Sequence, residues 1–345
     1  MPRSRQRSSQ TFSSGKEELG ELLNRRRAQT SARFAGLREN LAQAEGICRG
    51  KACVYATGSF ARGEANEHSD LDLFIVGQGR DGRRILGRLD EILLKADLIE
   101  VTRRLRIPEF SGDGQYLIHY TAEQLVRSLG RPEDDATNTF TARLLLMLES
   151  RPLLEPEVYR SVVEEVLAAY WQDFEDHRNE FIPAFLANDI LRLWRTFCVN
   201  YEAGTARVPE EKRAKRRIKN YKLKHSRLLT CYSALLYLLR VYDRAHTVTP
   251  QDAAVMASMT PTERIEWLRG QEDSAEASAA LDELLAAYER FLESTDKSEP
   301  ELIKDFLAPT SRREYMNHAY RFGDLVFRVM EMVGRRNRFH RLLVV

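Results

Sequence analysis

The stretch that most constrains this chain is Tyr55–Ile75, which reads YATGSFARGEANEHSDLDLFI. Ala52-Cys53-Val54-Tyr55-Ala56 is a short run of strand-forming residues closed by Gly58. Leu71–Val76 is the clearest strand pattern in the chain, ended by Gly77 and Gly79. A polar loop with a short helical turn joins them. Residues two apart on a strand project to one face. Asp70 and Asp72 therefore stand side by side, while Leu71, Leu73 and Ile75 turn into the core.

Two carboxylates about 5–7 Å apart on one face can hold a pair of divalent ions about 4 Å apart. Hard oxygen ligands favour Mg²⁺ or Mn²⁺ over zinc. A two-ion site of this kind suits in-line displacement at phosphorus. Gly58 lets the backbone approach a phosphate closely, and the Ser59 hydroxyl with neighbouring N–H groups can grip the β- and γ-phosphates. Arg62 can add charge-assisted contacts to the same phosphates.

Glycine-serine followed by aspartate-x-aspartate on the next strand resembles the signature of the DNA-polymerase-β-like nucleotidyltransferase superfamily. Gly58, Ser59, Arg62, Gly63, Ser69, Asp70 and Asp72 carry the match. The resemblance implies that Asp70 and Asp72 bind the metals and that Gly58 and Ser59, helped by Arg62, hold a nucleoside triphosphate. The order of elements after Tyr116 is similar to the nucleotidyltransferase module of PII uridylyltransferase-like proteins, with a short strand, a helix over Asp135–Glu149 and a large helical region. The superfamily commonly supplies a third carboxylate that acts as the base for the attacking hydroxyl. Asp113 fits that role if the preceding helix runs through Arg104; Glu100 fits if Leu98–Thr102 is a strand, and Asp97 is a third option. Asp113 is the preferred candidate.

The rest of the chain sets the architecture. A length of 345 residues suggests about two domains and a core that needs no staple. Residues 1–15 are basic and Ser-rich without an apolar stretch, which reads as a disordered tail and not a secretory signal. Lys16 to Ala44 is helical in pattern. Arg83–Arg104 reads as one helix, and Tyr116–Tyr120 as a third strand. Everything after Thr121 reads helical. The expected fold is an α+β nucleotidyltransferase domain over residues 16–150, a small mixed sheet flanked by helices, followed by an all-α domain over residues 151–345.

Composition narrows the function. With 53 basic and 51 acidic residues the chain is close to neutral, which argues against a protein that coats nucleic acid or membrane. Four scattered cysteines without a C-x-x-C pair exclude a zinc ribbon and read as reduced thiols. A soluble, cytoplasmic protein is expected. Charge is concentrated in Arg207–Arg227, where Lys219 and Lys222 are candidates to bind a triphosphate, a polynucleotide or an acidic partner. On Phe185–Tyr201 a polar stripe of Asn188, Asp189, Arg192, Arg195 and Thr196 reads as a surface or an intramolecular ion-pairing face, with a cleft wall as the alternative. Arg313…His318 and Arg335…His340 share the R-x4-H spacing of HEPN ribonucleases.

The expected activity is Mg²⁺- or Mn²⁺-dependent transfer of a nucleoside monophosphate to an acceptor hydroxyl on a protein, or on a nucleotide or RNA, with release of pyrophosphate. The alternative is a nucleotide-binding regulatory or antitoxin-like module that works through a protein partner without turnover.

Overall fold

The computed structural model describes residues 20–80, 83–108, 110, 117–204, 209–271, 274–335 and 337–344. The tail expected over residues 1–15 and the candidate base Asp113 lie outside them.

Two helices, α1 (Glu21–Glu39) and α2 (Ala42–Cys48), precede strand β1 (Ala52–Thr57). A single helical turn, α3 (Gly58–Ala61), follows, and β2 (Asp72–Gly77) returns antiparallel to β1 with Thr57 opposite Asp72. A two-stranded ribbon, β3 (Gly79–Arg80) and β4 (Arg83–Arg84), leads into α4 (Arg88–Arg104). Strand β5 (His119–Thr121) is parallel to β2. Three short helices, α5 (Ala122–Arg127), α6 (Glu133–Ala136) and α7 (Thr139–Leu148), bring the chain to β6 (Arg151–Leu154), antiparallel to β1. The sheet order is β5-β2-β1-β6, a mixed four-stranded sheet.

Helices build the remainder: α8 (Pro156–Tyr170), α9 (Ala184–Gly204), α10 (Glu210–Lys222), α11 (Leu228–Ala245), α12 (Pro250–Ser258), α13 (Pro261–Gln271), α14 (Ala275–Ser294), α15 (Glu299–Leu307), α16 (Pro309–Gly334) and α17 (Arg338–Val344). A π-turn, Leu223–Arg227, joins α10 to α11 without a break. No described helix is long and apolar enough to cross a membrane. The four cysteines are unpaired thiols.

Strand alternation divides the core in two. Leu71, Leu73 and Ile75 of β2 and its approach pack with Val54, Ala56, Leu94 and Leu98 under α2 and α4. Phe74 and Val76 face the other way, with Cys53 and Tyr55, into a larger core that continues through α7, α8 and α11 to Phe339. One face of the sheet thus packs directly on the C-terminal helices. Hydrophobic burial of about 25 cal/mol per Å² acts on both faces, so the strands are pinned in register.

Several boundaries differ from the sequence reading. The strand carrying the two aspartates opens at Asp72, with Asp70 on the loop before it. The helix expected from Arg83 starts at Arg88, because the first residues form the β3–β4 ribbon. It does run through Leu98–Thr102 to Arg104, so Glu100 and Asp97 are helical. The segment after Thr121 is not all helical: β6 is an edge strand, a place where Pro152 is tolerated because its missing N–H is not needed by a neighbour. The helix expected over Asp135–Glu149 is two helices, α6 and α7, with Asn138 in left-handed geometry between them.

Candidate active site

β1 delivers Gly58 to the rim of the sheet at a φ of +69°, where a side chain would be strained. A Cβ there would also come within 3.0 Å of Asp72 Oδ2. The turn and the carboxylate are pressed together, and only glycine permits it. The following residues wind into α3 and place Ser59 at the cavity wall.

The cavity has a volume of about 480 Å³. Gly58, Ser59, Arg62, Asp70 and Asp72 line one side, and Lys219, Lys222, Ser226 and Arg227 from α10 and the π-turn line the other. Phe291, Leu292 and Thr295 at the end of α14 close the third side. Every described site residue named from the sequence lies here, and Asp113 is outside the described residues. The alternatives for the third carboxylate do not line this cavity: Asp97 accepts a hydrogen bond from the Ala44 N–H at 2.9 Å, and Glu100 is exposed on α4. Among the described residues, no group of three or more His, Cys, Asp or Glu is placed to hold a metal ion.

Behind the glycine turn lies a buried charge cluster that sequence reasoning missed. Glu149 follows the last residue of α7, and its side chain is fully buried. Its carboxylate accepts from the Gly58 N–H at 3.1 Å, from Arg62 at 3.2 Å, from the Thr230 hydroxyl at 2.6 Å, and from Arg227. Arg62 also donates through Nε to Glu64 at 2.8 Å, and the Tyr288 hydroxyl donates to Glu64 at 2.8 Å. Three helices, the π-turn and the signature loop therefore meet at two carboxylates. In sequence, Glu149 is one acid at the end of an apolar helix, and nothing local marks it.

Arg62 is bonded through Nε to Glu64 and through Nη1 to Glu149, so its guanidinium braces the glycine turn from beneath while still lining the cavity. Arg227 is pulled down to about 10 by burial and by Arg62 close by, with Asp72 acting against that shift. The signature loop is also tied to the C-terminal helices: Asn66 donates to Asp296 at 2.9 Å, and Arg26 pairs with the same carboxylate at 2.5 Å.

At the open end of the cavity, Asp70 is raised above the ordinary carboxylate range by burial and by Asp72 beside it; Lys222 and Lys219 oppose that rise. Other lining cations are taken, with Arg62 and Arg227 on Glu149, Arg26 on Asp296, and Lys297 on Asp305 at 2.8 Å. Among the described residues Lys219 and Lys222 have no ion-pair partner, so they are the cations available to an incoming anion. Elsewhere in the basic segment, Arg213 and Arg217 pair with Glu210, and Lys215 with Glu299.

Residues 36–129 match the family model described as a nucleotidyltransferase domain. This part of the chain is a nucleotidyltransferase domain. The match covers β1, the glycine turn, both aspartates and β5, and it is consistent with the polymerase-β-like superfamily. Transfer of a nucleoside monophosphate is the general activity that such a domain supports. No curated protein matches the chain. The domain's own boundaries stop short of Glu149, Lys219, Lys222 and Arg227, so much of the cavity wall comes from outside the matched segment.

The polar stripe on α9 resolves mainly as ion pairing. Asp189 accepts from the buried Tyr170 hydroxyl at 2.7 Å, and Arg192 pairs with Asp135 at 2.6 Å. Of the R-x4-H strings, Arg313 and His318 lie five residues apart on α16, which points them to different sides of the helix. His340 packs over Gly334, where a Cβ would come within 2.4 Å of its ring.

Proposed function

We propose that this cavity binds a nucleoside triphosphate and transfers its nucleoside monophosphate to an acceptor hydroxyl. The observation that carries the reading is the convergence of Asp70 and Asp72 with the Gly58 turn on one side and Lys219 and Lys222 on the other. The acceptor oxygen bonds to the α-phosphorus, the bond to the bridging oxygen breaks, and pyrophosphate leaves. The hydroxyl proton passes to a base, for which Asp113 remains the proposed residue.

The residues present suit Mg²⁺ or Mn²⁺. Two half-buried carboxylates line one side of the cavity, and burial together with the Asp72 charge raises Asp70, both of which a bound cation would offset. Mg²⁺ is commonly held by one or two carboxylates together with waters and substrate phosphates, so two aspartates suffice as the protein's share. When bound, the metal would supply Lewis-acid activation of the attacking hydroxyl and charge neutralisation at the leaving pyrophosphate. Gly58 N–H is engaged by Glu149, so the turn is preorganised while the Ser59 side of α3 stays open to the phosphates. Lys219 and Lys222 supply mobile point charges to the triphosphate.

The test uses each of four α-labelled ribonucleoside triphosphates with Mg²⁺ or Mn²⁺, with and without cell lysate and total RNA. Label should move into protein, RNA or a small product with wild-type protein and stay in triphosphate with the Asp70→Asn/Asp72→Asn variant. Triphosphate binding without any transfer would instead mark a regulatory or antitoxin-like nucleotide-binding module. Equal transfer by the variant would remove the assignment.

A further inference from the structure

A second cavity, of about 550 Å³, lies on the far side of the π-turn from the first. Tyr221 at the end of α10 and His225 of that turn line it, while Lys222, Ser226 and Arg227 line the first cavity, and Phe291 lines both. One wall, a single side chain thick at Phe291, therefore separates them. The His225 ring stacks on Phe291 at 4.5 Å between centroids and 5° between planes, and on Phe322 at 4.8 Å, which makes the floor rigid and aromatic.

The rim is cationic. His318, Arg321 and Arg328 fall at i, i+3 and i+10 of α16, one face of the helix, and Arg290 comes from α14 opposite. Arg328 pairs with Glu283 at 3.0 Å, and Asp324 is the one acid lining the cavity. Arg290 and Arg321 have no ion-pair partner among the described residues. Two exposed, uncommitted guanidiniums over an apolar floor match a group that is anionic at one end and flat at the other. Guanidinium forks bind phosphate bidentately and stack on planar rings.

We infer that this cavity holds the phosphate-bearing acceptor of the transfer reaction, either the end of a single RNA strand or a free nucleotide. The inference rests on the proposed transfer activity for its functional meaning, but the binding event does not need turnover. A strand lying on Arg290 and Arg321 would have to pass around the edge of the Phe291 wall to bring its terminal hydroxyl to the cavity that contains Asp70 and Asp72.

The experiment measures fluorescence anisotropy of a fluorescein-labelled 12-nucleotide oligouridylate, with unlabelled uridine monophosphate as competitor. Wild type, Asp70→Asn/Asp72→Asn, Arg290→Ala/Arg321→Ala and a charge-matched control, Arg160→Ala/Arg178→Ala, are compared. Each charged hydrogen bond lost costs roughly tenfold or more in affinity, so the Arg290/Arg321 variant should bind at least about a hundredfold more weakly. Its log–log salt slope should also fall by about 1.4, the value for two lost contacts to a single strand. The aspartate variant and the control should bind as wild type does. Displacement by the monophosphate alone would identify a free nucleotide as the ligand, and failure to displace would identify the strand. No binding by wild type, or equal weakening in the control, would overturn the inference whatever the transfer assay gives. Label transfer to a protein acceptor that is indifferent to Arg290→Ala/Arg321→Ala would overturn it too. If the aspartate variant transfers label normally, the transfer reading fails while the binding result stands on its own.

Discussion

Two buried charge clusters sit in this protein, built from the same kinds of residue and placed for different ends. One joins Glu149, Arg62, Arg227 and Glu64 behind the glycine turn. The other joins Arg143, Asp134, Asp189 and Tyr170 among α6, α7, α8 and α9. Arg143 is fully buried and makes a bidentate pair with Asp134 at 2.9 and 2.5 Å, with a further bond to the Leu125 carbonyl at 2.9 Å. Burial alone would lower its guanidinium, yet Asp134 and Tyr170 raise it above its ordinary value. That cluster touches no part of the active-site cavity. The Glu149 cluster spends one of its acceptor sites on a backbone N–H at the phosphate turn and exposes Arg62 and Arg227 to the cavity. A buried ion pair is weak evidence for stability in general, because desolvation offsets the attraction. The difference lies in what each cluster is tied to: helices in one case, the Gly58 turn of the candidate site in the other.

The aspartates at the cavity mouth give the largest effect by which this contrast can be broken. Asp70→Asn or Asp72→Asn should reduce label transfer by about a thousandfold or more, the equivalent of several kcal/mol of transition-state stabilisation. Both variants should stay folded in thermal denaturation, since the repulsion and burial that raise Asp70 are relieved while attractions to Lys222, Lys219 and Arg227 are given up. Next comes the sealed cluster. Arg143→Met leaves Asp134 buried without its partner and should cost about 3–5 kcal/mol in urea unfolding. Triphosphate affinity measured by calorimetry on the folded protein should be unchanged.

Glu149→Gln sharpens the comparison because it should do both. It leaves Arg62 and Arg227 without their shared counter-charge, at a cost of about 3 kcal/mol by urea unfolding. It should also slow transfer through the loosened Gly58 turn. A variant that lost stability and kept full turnover would show the cluster to be structural only, like that of Arg143.

The smallest effect concerns the wall between the two cavities. His225 is drawn down to about 4 from 6.5, mainly by burial and further by His318 and Lys224, while the Tyr221 carbonyl acts the other way. The unfolded chain takes up this proton at higher pH than the folded one. The contribution is therefore intact above pH 6.5 and is lost as pH falls towards 4, to a limit of roughly 3 kcal/mol. His225→Phe keeps the ring stack and should flatten that part of the stability–pH curve by one proton, with little change at pH 8.

The same contrast explains what could be read in the sequence. β1 and β2 were legible as short runs of strand-forming residues closed by glycine and buried along their length, and α4 by apolar residues at helical spacing; the paired aspartates stand at the start of the β2 run. Lys219 and Lys222 were legible as members of a charge run, but the sequence could not separate them from Lys215 or Arg217, which pair on the surface. β6 was hidden because Arg151-Pro152-Leu153-Leu154 is too short to show alternation and Pro152 argues against a strand. Glu149 was hidden for a stronger reason. Its four donors come from positions 58, 62, 227 and 230, and only folding brings them to one carboxylate. Arg62 was legible from its place in the signature, but its partners at 64 and 149, which brace the turn, were not.

The most direct measurement is the shift in melting temperature produced by triphosphate with Mg²⁺, taken on three proteins side by side. Wild type should gain stability that requires both components, as expected of a ligand that binds only the folded state. Arg143→Met should melt earlier but show the same gain. Asp70→Asn/Asp72→Asn should stay folded and show no Mg²⁺-dependent gain. A full gain in the double aspartate variant would contradict the account, because the triphosphate would then be held somewhere other than the Asp70–Asp72 cavity.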